Sequence, residues 1–168
     1  MQKKIQVPNQ ISDNSNQSSW FLENHDATIK FGESFVHNLK DIQILLLDGP
    51  LGAGKTSLVK GLAKGLAIQE PITSPTFALA HHYLNGKRAL IHLDLYRLDN
   101  PMAADELFLQ EEETTNQLGG LMVIEWPSKL SLKINDSYLI QIRYLSNGGR
   151  QINLITAQPN DKNFSTSG

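Results

Sequence analysis

The segment from residue 42 to residue 66 constrains the fold of this 168-residue chain more than any other. It begins with the apolar run Ile-Gln-Ile-Leu-Leu-Leu at 42–47, which predicts a buried strand. The sequence Gly-Pro-Leu-Gly-Ala-Gly-Lys-Thr follows at 49–56, and residues 57–66 then repeat apolar side chains at helical spacing. Strand, glycine-rich loop and helix in this order are the pattern of a phosphate-binding loop, rather than of a glycine-rich turn that binds nothing.

The residue types in the loop suit a nucleotide. Glycines let successive backbone N–H groups turn toward one anion without a Cβ in the way, and the N-terminus of the following helix favours negative charge. Lys55 is expected to bridge the β- and γ-phosphates, and Thr56 to offer its hydroxyl to Mg²⁺. The residues expected at the nucleotide are Gly49, Leu51, Gly52, Ala53, Gly54, Lys55, Thr56 and Ser57.

Length and composition indicate one globular domain. Residues 1–19 are dominated by Asn, Gln and Ser and are expected to form a disordered leader, residues 20–157 an ATPase domain, and residues 158–168 a flexible tail. The chain has no cysteine, no signal peptide pattern and no apolar run long enough for a bilayer, which fits a cytoplasmic protein. With a net charge of −2, contacts with membrane or DNA are not expected.

The remaining chain predicts a mixed α/β fold. We expect a strand at 27–31, a helix at 32–40, strands at 76–84 and 88–95 joined by an Asn-Gly hairpin turn, and a helix at 101–112. A buried strand at 121–124 and a hairpin of 138–145 with 151–156 complete the pattern. The prediction is a single domain of the P-loop NTPase type, whose mixed sheet has parallel core strands, antiparallel hairpins and helices on both faces.

Two acids stand where phosphate chemistry needs them. Asp94 and Glu125 each end a predicted strand, and in α/β sheets the carboxyl ends of parallel strands share an edge with the loop. One acid is expected to hold metal and the other to orient water, with the division of roles left open, although a lone acid at a strand end is often a turn or cap residue. Trp126 either shields the site or is an ordinary half-buried aromatic, and Thr76 either senses the γ-phosphate or merely begins a strand.

Taken together, four motifs resemble the TsaE family, also called YjeE, of small bacterial ATPases. They are the loop at 49–56, Ser-Pro-Thr-Phe at 74–77, His-Leu-Asp-Leu-Tyr-Arg-Leu at 92–98, and Glu-Trp-Pro at 125–127. The likeness extends over about residues 26–156. The motifs Asp-Leu-Tyr-Arg at 94–97 and Glu-Trp-Pro at 125–127 are together more specific to the family than the phosphate-binding loop alone. Two positions depart from the family pattern, Pro50 and Ser128, which puts partner fit or loop stiffness in question more than nucleotide binding.

The resemblance implies the activity and the partners. Such proteins bind ATP and Mg²⁺, hydrolyse ATP slowly alone, and act on the TsaB–TsaD complex. That complex transfers threonylcarbamoyl to adenosine 37 of tRNAs that read codons beginning with A, so tRNA is expected as an indirect partner only. Two alternatives stay open: a nucleotide-dependent binding switch with incidental hydrolysis, and a P-loop kinase for a small molecule. The kinase is disfavoured because the arginines are scattered.

The resemblance also implies roles for individual residues. Thr56 and Glu125 would hold magnesium, Lys55 the phosphates, and Asp94 would assist hydrolysis as a water-orienting or supporting carboxylate. Trp126 and Arg150 would lie close to the nucleotide, and residues 25–28 would approach the adenine. Independently of the resemblance, a metal ion shared by His81 and His82 is not expected, because adjacent residues on a strand point to opposite faces; both, and His92, are interpreted as structural or surface residues.

Overall fold

The fold is built on one mixed sheet. The structure is a computed structural model that describes residues 10–12 and 17–156. Within those residues the sheet has eight strands in the order β1-β2-β8-β7-β3-β6-β5-β4. The strands are β1 (Gln10–Ser12), β2 (Gln17–Leu22), β3 (Ile44–Asp48), β4 (Ala80–Tyr83), β5 (Leu90–Asp94), β6 (Leu121–Glu125), β7 (Ser137–Tyr144) and β8 (Arg150–Thr156). The helices are α1 (His25–Phe35), α2 (Lys55–Gly65) and α3 (Pro101–Leu118).

The central strands β7, β3, β6 and β5 run parallel, and the outer pairs are antiparallel. Strands β5 and β6 are buried at all five positions, as expected for strands covered on both faces. The two predicted hairpins are confirmed, β4 with β5 and β7 with β8. The predicted fold class is therefore confirmed.

Helices cover both faces of the sheet. Alternate residues of β3 divide between two apolar clusters: Leu45 and Leu47 pack with α1 and α2, whereas Ile44 and Leu46 pack toward α3. Strand β6 divides in the same way, with Val123 on the first face. Because Glu125 lies two residues after Val123, its side chain shares the face that carries α2. The alternation of the strands thus directs the acid toward the loop helix.

Helices α1 and α2 cross at two glycines. A Cβ on Gly61 would lie 2.2 Å from the carbonyl oxygen of Ile29, and one on Gly32 would lie 2.6 Å from the carbonyl oxygen of Leu58. Main-chain atoms cannot rotate out of such a contact, so both positions require glycine. The close crossing fixes α2, and with it the loop at its N-terminus, against α1.

The strand predicted at 27–31 was wrong, and the helix predicted at 32–40 starts and ends earlier than expected. Residues 25–35 form one helix, and the short 3-10 turn Val36–Asn38 follows. The side chain of Asn24 accepts a hydrogen bond from the Ala27 N–H, which starts the helix before the residues taken as a strand. The alternation at 27–31 was misleading because Thr28, Phe31 and Phe35 instead share one buried helical face.

Three other predictions differ in extent. Strands β1 and β2 include residues 10–12 and 17–19 of the segment expected as a leader, while the rest of that segment and the tail from 158 lie outside the described residues. Strand β4 starts at Ala80 rather than 76, directly after Leu79, whose φ of 69° interrupts extended backbone. Helix α3 continues to Leu118, and Gly119, with φ 59°, ends it.

None of the helices in the described part of the chain has the length and apolar character to cross a bilayer.

Candidate active site

The glycine-rich loop joins the carboxyl end of β3 to the first residue of α2. Gly52 has φ 75° and Gly54 has φ 106°, backbone conformations that residues with a Cβ rarely adopt. Gly54 is the residue before the helix, so the free N–H groups of the first helical turn face the same space as the loop. The loop therefore has the conformation and the helix dipole of an anion cradle.

Lys55 lies buried at the start of α2. Its Nζ donates to the carbonyl oxygens of Gly49 at 2.6 Å and of Pro50 at 3.0 Å. The ammonium also lies 4.2 Å from the centre of the Trp126 ring. Burial lowers the pKa of Lys55 from its ordinary value, and the carboxylates of Glu125, Asp94 and Asp48 oppose that shift. Three acids thus favour the charged form of Lys55.

Glu125 meets the loop helix at Thr56. The Thr56 hydroxyl donates to Glu125 Oε1 at 3.0 Å, joining residues that are 69 positions apart. His92 Nε2 lies 2.9 Å from the same oxygen, and the imidazole is fully buried. Because an ionised carboxylate only accepts, this nitrogen donates its N–H to Glu125. The carboxylate is thereby fixed from two sides.

Asp94 is held by the connection between α2 and β4. Its Oδ2 accepts from the Thr76 hydroxyl at 2.7 Å and from the Ser74 hydroxyl at 3.2 Å. The Tyr96 N–H donates to Oδ1 at 3.0 Å. The side chain is buried at the end of β5, so this carboxylate is linked to residues 74–76 as well as to the sheet edge.

Trp126 covers the site from a left-handed backbone conformation. Its φ of 61° and ψ of 52° are uncommon for a bulky residue, and such conformations concentrate at functional sites. The Trp126 ring packs against the Tyr96 ring, with 5.0 Å between the two ring centres. The strained residue thus turns its indole over the Lys55 ammonium immediately after the acid at the end of β6.

A cleft of about 270 Å³ joins these groups. Ten of the residues predicted for the site line it: Leu51, Gly52, Gly54, Lys55, Thr56, Ser57, Thr76, Asp94, Glu125 and Trp126. Ser74 and Tyr96 complete the lining. Three predicted residues are not in the lining: Gly49 backs against β7, the Ala53 side chain is buried in the core, and Arg150 lies behind the loop with its Nε 2.9 Å from the Ala53 carbonyl oxygen.

Sequence reasoning missed several residues around the site. His92 was interpreted as structural or surface, although its place two residues before Asp94 on one strand face was a usable signal. Tyr96 lay inside a quoted motif without a role. His25 is not among them, since the resemblance implied that residues 25–28 approach the adenine, and its Nδ1 lies 3.0 Å from the Ser57 hydroxyl. Tyr144, whose hydroxyl donates to the Gly52 carbonyl, carried no signal at all in the sequence.

The oxygen groups at Thr56 and Glu125 fit a magnesium ion. Magnesium prefers oxygen ligands and in nucleotide sites takes one or two from the protein and others from phosphates and water. Within residues 10–12 and 17–156, no three His, Asp or Glu side chains converge as a set that would hold a metal by themselves. The protein side of the site therefore suits a cation that arrives with a phosphate ligand.

Comparisons with known proteins give one consistent result. A family model described as "Threonylcarbamoyl adenosine biosynthesis protein TsaE" matches residues 22–152. A protein of Nostoc sp. named "tRNA threonylcarbamoyladenosine biosynthesis protein TsaE" is 40% identical over 132 residues, which are 78% of this chain and 81% of the relative. A Synechocystis sp. protein of the same name is 42% identical over 118 residues, 70% of this chain and 74% of the relative.

The fold agrees with a solved structure. The crystal structure of Bacillus subtilis YdiB superposes with a TM-score of 0.67 at 25% sequence identity, covering 88% of this chain and 90% of the other. The matched residues 22–152 include the loop, both acids and the two aromatic residues over the cleft. The chain belongs to the TsaE family of tRNA threonylcarbamoyladenosine biosynthesis proteins.

Proposed function

We propose that this protein binds ATP with Mg²⁺ in the cleft beside the loop and hydrolyses it in support of tRNA threonylcarbamoyladenosine formation. The observation that carries the proposal is the contact between Thr56 and Glu125 next to Lys55. It brings the hydroxyl of the loop helix, the acid of the neighbouring strand and the loop lysine to one side of the sheet. Phosphoryl transfer to water uses these three groups for the cation and the phosphates.

The loop and Lys55 act on the phosphates. Lys55 donates hydrogen bonds to the two loop carbonyls. On nucleotide binding, its ammonium group donates to oxygens of the β- and γ-phosphates instead. Thr56 and Glu125 hold the cation, and His92 keeps Glu125 turned toward Thr56. Bound Mg²⁺ would neutralise the charge that develops on the transferred phosphoryl group.

Asp94 orients the attacking water. Its carboxylate is buried and carries hydrogen bonds from Thr76 and Ser74, so its position depends on the exposed connection that contains them. A γ-phosphate beside this connection would accept hydrogen bonds from the same two hydroxyls. Once the hydroxyls turn to the phosphate, the Asp94 oxygen that they leave is free to accept a hydrogen bond from the attacking water. The connection thus links presence of the γ-phosphate to readiness for hydrolysis.

A nucleotide switch is the second candidate. The hydroxyls of Ser74 and Thr76 lie next to Phe77, whose side chain is 84% exposed. Rearrangement of the hydroxyls around Asp94 would move the exposed Phe77 side chain. A partner protein that contacts Phe77 would respond to this movement without any ATP hydrolysis. In this version ATP binding alone sets the state of the protein, and hydrolysis is incidental.

The first experiment separates binding from hydrolysis. ATP affinity is measured by calorimetry, and Mg²⁺-dependent phosphate release by a coupled assay. Lys55→Ala is expected to lower ATP affinity at least tenfold, because it removes the charge that faces the phosphates. Glu125→Gln is expected to abolish the Mg²⁺-dependent release with the fold retained. The matched controls are Lys60→Ala, on the exposed side of α2, and Glu106→Gln, on the exposed side of α3. Wild-type ATP affinity in Lys55→Ala would refute the site.

The second experiment concerns the pathway. The protein is added to TsaB, TsaD, activated threonylcarbamoyl donor and tRNA, and modified adenosine is counted over many turnovers. We expect multi-turnover product only with this chain and ATP. Asp94→Asn is expected to bind ATP and the TsaB–TsaD complex and yet stop after the first round, whereas sustained turnover by this variant would favour the switch. Product that is indifferent to the chain would end the proposed role.

A further inference from the structure

The outer side of the nucleotide loop rests on the hairpin of β7 and β8. All three loop glycines contact it: a Cβ on Gly49 would lie 2.6 Å from the Ile142 carbonyl oxygen, and one on Gly52 would lie 3.1 Å from the Tyr144 hydroxyl. A Cβ on Gly54 would lie 3.1 Å from Arg150 Nε. The glycines therefore serve a second need beside backbone freedom, because they admit the hairpin to the back of the loop.

Two side chains of the hairpin bind the loop main chain. The Tyr144 hydroxyl donates to the Gly52 carbonyl oxygen, and Arg150 Nε donates to the Ala53 carbonyl oxygen at 2.9 Å. The Arg150 guanidinium also lies 5.6 Å from the centre of the Tyr144 ring. Neither residue lines the cleft. Their two hydrogen bonds are to consecutive peptide groups of the loop.

Peptide geometry gives these contacts a consequence for the ligand. In a planar trans peptide the C=O and the following N–H point in opposite directions. Holding the Ala53 carbonyl outward therefore directs the Gly54 N–H inward, to the side where Lys55 lies. Holding the Gly52 carbonyl directs the Ala53 N–H inward as well, where it donates to the Pro50 carbonyl oxygen at 3.0 Å and tightens the turn of the loop.

We propose that Tyr144 and Arg150 are positioning residues, which set the orientation of the loop peptide groups and thereby the affinity of the loop for a diphosphate group. The inference rests on the proposed nucleotide site and refines it, because Arg150 acts through the Ala53 carbonyl and not by contact with the nucleotide. A loop whose N–H donors are already oriented binds an anion more tightly than a mobile loop. The mobile loop must order its peptide groups on binding, and the entropy lost in doing so lowers the affinity.

The experiment compares paired variants of the full chain. Tyr144→Phe on β7 and Arg150→Ala on β8 remove the two donors. The controls are Tyr138→Phe, at the other end of β7, and Lys133→Ala, which removes an exposed positive charge before β7. ATP and inorganic pyrophosphate are titrated separately by calorimetry. Wild-type ATP binding is measured first, since its absence would refute the proposed function and not this inference alone.

We expect each loop-facing variant to lose about tenfold in affinity for both ligands, equivalent to about 1.4 kcal/mol. Arg150→Lys, which keeps one donor, should recover part of the loss. The amides of residues 52–54 should exchange hydrogen faster in both variants, whereas the two controls should match wild type. Unchanged pyrophosphate affinity in Arg150→Ala would overturn the inference, and so would a loss for ATP alone, because that would indicate direct contact with the nucleoside.

Discussion

Replacement of Gly61 by alanine tests how the loop helix is held. Two effects oppose each other. Alanine is the better helix former by about 1 kcal/mol, which favours the variant. Against this, the new Cβ would lie 2.2 Å from the Ile29 carbonyl oxygen and 2.9 Å from the Gly32 Cα. Overpacking of a core costs about 1–3 kcal/mol, and the upper end applies where the obstacle is main chain.

The contact should therefore dominate. We expect Gly61→Ala to lower the free energy of unfolding by about 2 kcal/mol, because α1 must move outward by about 1 Å to restore normal contact distances. For a chain of this length the loss corresponds to a fall in Tm of about 4–8 °C. The assay is urea unfolding followed by circular dichroism, with thermal unfolding as a second measure.

Two further variants identify the cause. Gly32→Ala approaches the same crossing from the other helix, since its Cβ would lie 2.6 Å from the Leu58 carbonyl oxygen, and should be destabilised similarly. Lys60→Ala changes an exposed neighbour on α2 and should stay within about 0.5 kcal/mol of wild type. A Gly61→Ala protein as stable as wild type would refute the reasoning, because the helix preference would then outweigh the contact.

Three other changes have defined outcomes. Arg88 donates to four main-chain carbonyl oxygens at 2.7–3.1 Å, so Arg88→Met should lower the free energy of unfolding by about 3 kcal/mol in urea titrations. Hydrogen bonds from Ser131 lower the pKa of Asp105 below its ordinary 3.8, so its stabilising effect is present above that pH and is lost as pH falls through the lowered pKa. Asp105→Asn should accordingly reduce Tm at pH 7, with the difference from wild type vanishing in acid. Trp126 lines the cleft and Trp20 is in the core, so ATP should change the tryptophan fluorescence of wild type and of Trp20→Phe but not of Trp126→Phe.

The sequence predicted the part of the site that depends on local order. The loop, its lysine and its threonine follow from glycine spacing between a strand and a helix, and Asp94 and Glu125 follow from the rule that parallel strands end at one edge. The side of the sheet that Glu125 faces also follows from alternation, since Val123 and Glu125 are two residues apart. These inferences need only neighbouring residues and a general rule of topology.

The missed parts depend on contacts between distant segments. Tyr144 meets Gly52 across 92 positions, and nothing near it in the sequence indicates that pairing. Arg150 was expected near the nucleotide from the resemblance, but its hydrogen bond to the Ala53 carbonyl, across 97 positions, was not. They meet because β7 lies beside β3 and β8 pairs with β7, which is a matter of strand order. The error at 25–40 has another origin: a five-residue alternation looked like a strand, while the Asn24 cap and the helical spacing of Phe31 and Phe35 decided the outcome.

The order of strands bears on how the protein matures during synthesis. Strand β2 pairs with β8, and the loop at 49–56 packs against residues 142–150, so both early segments need partners that leave the ribosome well after they do. A nascent chain that ends before β7 has the glycine-rich segment without its support, and its β2 has no neighbour from the central sheet. Capture of the triphosphate should therefore begin late and abruptly as the chain lengthens, rather than once the loop itself has emerged.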